Sequence, residues 1–291
     1  FLDEPDVHLH PDLQVRFVHF LRDLVFERGF QVVIATHSTA ILGALESYES
    51  SRLALMVSGQ KELIFHEISE TYRKILPVFG AHPLSNFFNL APVLLVEGND
   101  DERIWQQAVR SSEGRIKVYP CSVEGVEKLI EFENEANSII QAVYNDAKGY
   151  SLRDRDDTDG AIENIGAIIR MKLLCRNAEN LILSNEVLET LGISWADVPQ
   201  KINDWLDKNQ GHAHFEVMKG FLESGFQRKT YDIKEIRNDL MALFGSSKQW
   251  EVVVGQSIAT IVRKESMSYE IDGSLSSYLG EAVVNNLILS E

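Results

Sequence analysis

The 291 residues carry 28 Lys and Arg against 44 Asp and Glu, a formal charge of −16 that argues against a protein coating nucleic acid by charge alone. Hydrophobic residues make up 44%, enough for the cores of two or three domains and too much for a disordered chain. Two cysteines without a CxxC pair, and no apolar run near the ~20 residues of a membrane span, exclude disulfide frameworks, zinc ribbons and transmembrane helices.

The chain opens inside an apolar-acidic motif, Phe1-Leu2-Asp3-Glu4-Pro5, without an initiating Met or a signal peptide. A cytoplasmic protein with a preceding N-terminal portion is the expectation. Apolar residues at Leu13, Phe17, Phe20, Leu21 and Leu24 recur at helical spacing, predicting a helix over 12–26 that ends at Gly29. A strand over Gln31–Ala35 then closes on Thr36-His37-Ser38. Residues 51–57 and 62–66 read as a hairpin turning at Ser58-Gly59-Gln60, and His82–Asn89 as a connector.

From residue 91 strands and helices alternate: Val93–Val96, a helix over 100–110, a strand over 116–119, a helix over 123–135 and a strand over 149–152. Ile162–Leu174 is apolar but of undecided type. Such alternation predicts right-handed crossovers and a mostly parallel sheet. Beyond Glu186 the pattern is mainly helical, with Leu188, Ile202, Leu206, Met218 and Phe221 as core. Cys121 and Cys175 read as reduced core residues.

Acidic residues follow two of these strands. Glu97 and Asp101 lie just past Val93–Val96, and Asp154 and Asp156 lie just past Gly149–Leu152. Strand alternation would point Asp154 and Asp156 the same way. Carboxylates crowded at one sheet end repel unless a divalent cation lies among them, and Mg²⁺ chooses such oxygen donors. The residues themselves therefore predict a Mg²⁺-dependent phosphoryl-transfer site.

Asp3 and Glu4 end a strand in the way that suits support of a nucleotide's Mg²⁺ and orientation of its attacking water, and His37 ends a second strand. With Leu9-His10-Pro11 between them, these motifs resemble the C-terminal part of an ABC-type ATPase head: Walker B, D-loop region and His switch. A GxxxxGK[ST] loop is absent from the sequence, so ATP hydrolysis by this chain alone is not expected.

Val96-Glu97-Gly98 with the later Asp154-Arg155-Asp156 resembles a Toprim domain, a metal-binding Rossmann-like α/β fold. An ABC-type head running into a Toprim domain resembles the overcoming-lysogenization-defect (OLD) family of nucleases. That resemblance implies an α/β chain with three parts: ATPase head over 1–80, Toprim domain over 88–184 and a mainly helical domain over 185–291. It implies a two-metal endonuclease using Mg²⁺ or Mn²⁺, with ATP-Mg²⁺ handled only together with further ATPase sequence. It assigns Glu97, Asp101, Asp154 and Asp156 as metal ligands, with Glu97, Asp154 and Asp156 at the reacting centre. Glu179, in Ala178-Glu179-Asn180-Leu181, resembles a later ligand of the family.

A basic residue late in the chain is also implied. Gln256 stands where Lys would be expected after Gly255, which leaves Lys219 as the candidate. Implied partners are DNA, a second copy through the ATPase head, and a partner protein in anti-phage defence, with no membrane. A Toprim ribonuclease toxin acting on tRNA and a non-catalytic partner-binding module are the competing readings.

Overall fold

The computed structural model describes residues 1–7, 9–36, 38–45, 48, 50–54, 62, 65–67, 92–123, 125–143, 148–156, 162–261 and 271–288. His37, the predicted turn over 58–60, the connector over 82–89 and the boundary residues 80 and 88 lie outside that set.

In the N-terminal part, β1 (Leu2–Asp3) pairs in parallel with β2 (Ile34–Ala35), Asp3 opposite Ala35. Helix α1 (Pro11–Arg28) connects them, wider than predicted at both ends. Its start is fixed by Pro11, whose missing N–H costs nothing in a first turn, and by His10, whose ring accepts from Asp12 N–H. Its end is fixed by Gly29 at φ 67, which donates to Val25 C=O. Val18 packs on Ile41 of α2 (Thr39–Leu45), forming a small core of its own. The predicted hairpin appears as antiparallel β3 (Arg52–Leu53) and β4 (His66–Glu67).

The second part is a four-stranded parallel sheet in the order β6-β5-β7-β8. Strand β5 (Val93–Val96) leads through α3 (Asn99–Ser111) to β6 (Tyr119–Ser122) on one side. Strand β6 leads through α4 (Val126–Val143) to β7 (Gly149–Arg153) on the other side of β5. Each helix covers a different face. Leu94 and Val96 join Ile104, Trp105 and Ala108 of α3, whereas Val93 and Leu95 join Leu129, Phe132, Ala136 and Ile140 of α4. Period-2 strand and period-3.6 helix thus agree, and each fully buried Leu or Val there contributes about 1.5–3 kcal/mol. Gly149 lets α4 sit close, since a Cβ there would come within 2.8 Å of Ile140 and 2.7 Å of Ile168.

Two strands differ from expectation. Strand β6 lies three residues later than predicted and includes Pro120, tolerated because β6 is an edge strand that needs no second ladder. The undecided segment over 162–174 contains β8 (Ile168–Lys172), paired in parallel with β7 and preceded by a turn that bridges Ile165 to Ile168.

The remaining α-helices among the described residues are α5 (Asn185–Thr190), α6 (Val198–Lys208), α7 (Phe215–Glu223), α8 (Arg237–Leu243), α9 (Trp250–Thr260), α10 (Leu275–Leu279) and the single turn α11 (Glu281–Val283). They share one apolar cluster with the α3 face of the sheet, running from Leu94 to Ile288. Helix α9 presses on α3 at Gly255, where a Cβ would stand 2.5 Å from Ile104 C=O. Leu188, Ile202, Leu206, Met218 and Phe221 are buried as expected, as are Cys121 and Cys175. Glu133 of α4 is fully buried and bridged by Arg153 at 2.7 Å and Arg170 at 3.2 Å, with Ser151 as a further donor. Losing both arginines would strand a buried carboxylate, a cost of about 3–5 kcal/mol.

Candidate metal centre

Strand order reverses at β5, and the crevice beyond the carboxyl ends of β5 and β7 is where an open α/β sheet binds ligands. The register Val96↔Leu152 brings the two strands to an end side by side, so Glu97 and Asp154 emerge at the same rim. Gly98 then opens α3, and Asp101 on its first turn folds back to accept from Gly98 N–H at 3.1 Å. Asp154 accepts from Ala178 N–H at 2.9 Å, the start of the 3₁₀ turn Ala178–Leu183. That contact carries Glu179, only 7% exposed, to the same rim.

The electrostatics record this convergence. Burial comes first in each case and like charges add to it. Asp101 is raised to about 7, with Glu179 and Glu97 contributing, and Asp154 to about 8, with Asp101, Glu97 and Glu179 contributing. Burial and then Asp156 push Glu97 upward, while Arg153 opposes. Glu179 is likewise raised by burial, against Lys234 and Arg237. The structure therefore brings Glu97, Asp101, Asp154 and Glu179 into one interacting group.

Asp156 differs from expectation. Strand β7 ends at Arg153, so alternation no longer orients the residues beyond it. Asp156 sits exposed at φ 47, its N–H donating to Arg176 C=O, and reaches the group through its charge on Glu97. The acids also stand farther apart than sequence spacing suggested. Among the described residues only His212, His214 and Asp239 bring three donor atoms within 4.8 Å of one another. Uncompensated like charges hold side chains apart, and a cation would relieve that repulsion.

Two cations that sequence reasoning missed serve this rim. Lys234 Nζ lies 3.7 Å from Asp154, and Arg237 reaches both Glu179 at 3.1 Å and Asp100 at 3.5 Å. Buried Ile233 and Ile236 anchor the intervening turn, so an apolar-x-x-apolar spacing around Lys234 was the one available signal. Lys219 lies elsewhere: it pairs with Glu223 at 3.6 Å along α7 and is not among the charges acting on the rim carboxylates. Gln256 accepts from Lys248, and Gly255 before it serves helix packing.

In the N-terminal part Asp3 ends β1 and Glu4 turns away at φ 43, donating its N–H to Ala35 C=O. Thr36 donates to Asp6, and Gln14 donates to Leu9 C=O at 2.8 Å, tying the segment after β1 to the end of β2.

A stability test follows from the raised carboxyls. Asp101 and Asp154 keep their protons to about pH 7 and 8 when folded but release them near 3.9 when unfolded. Folding then takes up protons between those values, so their contribution is largest at low pH and disappears as pH rises through 7–8. Chelator-treated protein should melt at a lower temperature at pH 8 than at pH 6. Added Mg²⁺ or Mn²⁺ should raise Tm more at pH 8. A Tm equal at both pH values, with and without metal, would contradict the arrangement.

Residues 1–43 match a family model described as an AAA domain, putative AbiEii toxin, Type IV TA system. A curated relative, the Old nuclease of Escherichia phage P2, is 28% identical over 192 residues, covering 62% of this chain and 31% of that protein. The chain thus matches about a third of its relative's length. Among solved structures, the C-terminal region of the Burkholderia pseudomallei OLD protein is 11% identical, covering 58% of this chain and 86% of that one at a TM-score of 0.27.

Proposed function

We infer that this chain, an OLD-family sequence by its motifs and by its phage P2 relative, works as a divalent-metal-dependent nuclease on DNA, with its reacting centre at the rim of β5 and β7. The observation that carries this is the gathering of Glu97, Asp101, Asp154 and Glu179, two of them raised to about 7 and about 8. Lys234, Arg237 and two backbone N–H groups offset only part of the crowding, and the carboxyls stay raised. Hard oxygen donors of this kind fit Mg²⁺ or Mn²⁺.

Glu97, Asp101 and Asp154 would hold the ions, with Glu179 and Asp156 at the margin. Two divalent cations held there would supply Lewis acidity at the scissile phosphate and lower the pKa of water. The chain's own part is positional. Ala178 N–H holds Asp154, Gly98 N–H holds Asp101, and Arg237 holds Glu179. Lys234, half exposed beside Asp154, would meet a phosphate oxygen as negative charge builds on it. A chain of −16 repels DNA at long range, so productive binding would rest on these local cations and on the ions. ATP control through Asp3, Glu4 and His37, pairing of two copies, and a role in anti-phage defence are carried over with the family resemblance.

The test is incubation of supercoiled plasmid and of total RNA with Mg²⁺, Mn²⁺, Ca²⁺ or EDTA, with and without ATP. Nicking of plasmid in Mg²⁺ or Mn²⁺ and none in EDTA is expected. Cleavage of RNA alone would transfer the substrate, and intact plasmid and RNA despite bound metal would overturn the reading in favour of a binding module.

A further inference from the structure

We propose that His212, His214 and Asp239 form a second metal site, chemically distinct from the acidic rim and selective for a borderline transition metal such as Zn²⁺. The three residues come from two elements. His212 and His214 lie on the turn between α6 and α7, and Asp239 lies on the first turn of α8. Their donor atoms all fall within 4.8 Å. His214 Nδ1 is 2.6 Å from Asp239 Oδ2, and His212 Nε2 is 4.0 Å from Asp239 Oδ1. Tetrahedral Zn²⁺ with bonds of about 2.1 Å separates its ligands by about 3.4 Å, a value these spacings bracket. Small side-chain rotations would suffice.

The histidines are held before any metal arrives. His212 N–H donates to Asn209 C=O at 2.9 Å, and Phe215 N–H donates back to His212 C=O at 3.0 Å. Trp205 of α6 meets the His212 ring edge-on at 5.1 Å between centroids, and the two imidazoles also meet edge-on at 5.3 Å. His214 N–H donates to His212 Nδ1 at 3.2 Å. Coordination through His212 Nε2 moves the ring proton to Nδ1 and gives up that one long contact.

Donor chemistry sets the selectivity. Two imidazoles and one carboxylate suit Zn²⁺, Co²⁺ or Ni²⁺, whereas the all-carboxylate rim suits Mg²⁺ or Mn²⁺. The site is open, with three protein ligands and partial exposure, so water or a partner's donor completes the shell. Its place in the fold gives it a purpose. Asp239 sits two residues after Arg237, the side chain that holds Glu179 and Asp100, so a metal would pin α8 to the α6–α7 turn and stiffen that support.

The experiment uses chelator-stripped whole chain. Co²⁺ titration should give the intense visible bands of a tetrahedral centre with one equivalent bound. Zn²⁺ should abolish them, and excess Mg²⁺ should leave them. Zn²⁺ should raise Tm, and His212→Gln and Asp239→Asn should each weaken Zn²⁺ binding at least about tenfold. His212 is exposed, so His212→Gln keeps the fold testable if Asp239→Asn does not. Glu97→Gln should retain the Co²⁺ bands. Absence of the bands, or their survival in a folded His212→Gln, Asp239→Asn double variant, would overturn the site. Failure of the parent chain to nick plasmid in Mg²⁺ or Mn²⁺, with its Co²⁺ bands intact, would count against the rim alone.

Discussion

Glu97→Gln and Asp154→Asn are each expected to abolish metal-dependent nicking, a loss of at least about 10²–10³-fold, while raising the melting temperature of the metal-free protein. The two effects share one cause. Each change removes an ionisable acid from a group whose members repel once deprotonated, so the gain in apo stability should appear most fully above about pH 8, where Asp154 has lost its proton. Asn at 154 keeps an oxygen for Ala178 N–H, whereas Ala would also discard a cap of about 1 kcal/mol and blur the comparison. The amides cannot neutralise a divalent cation, so calorimetry should show weaker Mn²⁺ binding alongside lost cleavage. Thermal scans in EDTA and a plasmid-nicking series read both. Wild-type nicking by both variants would remove the rim from the chemistry. Lost activity with a lowered Tm would make these acids supports of the fold.

Much of this was readable in the sequence wherever neighbours in the chain are neighbours in space. Val93–Val96 is buried on both faces and so reads as a continuous apolar run, and α3 follows with Ile104, Trp105 and Ala108 at helical spacing. Glu97 and Asp154 were visible because each follows such a run. Reading failed where a local rule met a tertiary exception. The strand expected over 116–119 lies at Tyr119–Ser122, taking in a Pro120 that an edge position permits, and alternation from Asp154 to Asp156 was applied past the end of β7. The cations left only the Ile233-x-x-Ile236 spacing as a signal. Lys234 and Arg237 reach the rim only because Ile233 and Ile236 bury beneath them, and Lys219 had the same composition and a better motif but faces Glu223. His212 and His214 stand two residues apart in the chain, but Asp239, their partner, comes from a separate helix.

Lys234→Ala is expected to lower the cleavage rate by about 10²–10³-fold, the scale of losing one preorganised charge at a developing oxyanion. Two roles are open to a lysine 3.7 Å from Asp154. It can compensate the acids, which in turn favour its charged form against burial: Glu179, Asp154 and Asp156 all act on it. Or it can meet the phosphate. Metal affinity separates them. As a compensator only, its removal leaves more net negative charge, tightens divalent binding and leaves the rate at saturating metal unchanged. As a stabiliser of the reacting phosphate, its removal lowers the rate at saturating Mn²⁺ however tightly the ion binds. Lys234→Arg should recover part of the rate, since it restores charge but not the compact ammonium geometry. Lys219→Ala should cut like the parent, because its partner is Glu223 and its charge does not act on the rim. Nicking rates across a Mn²⁺ titration decide the matter, and a Lys234→Ala rate equal to the parent's at saturation would leave the lysine as a counter-charge alone.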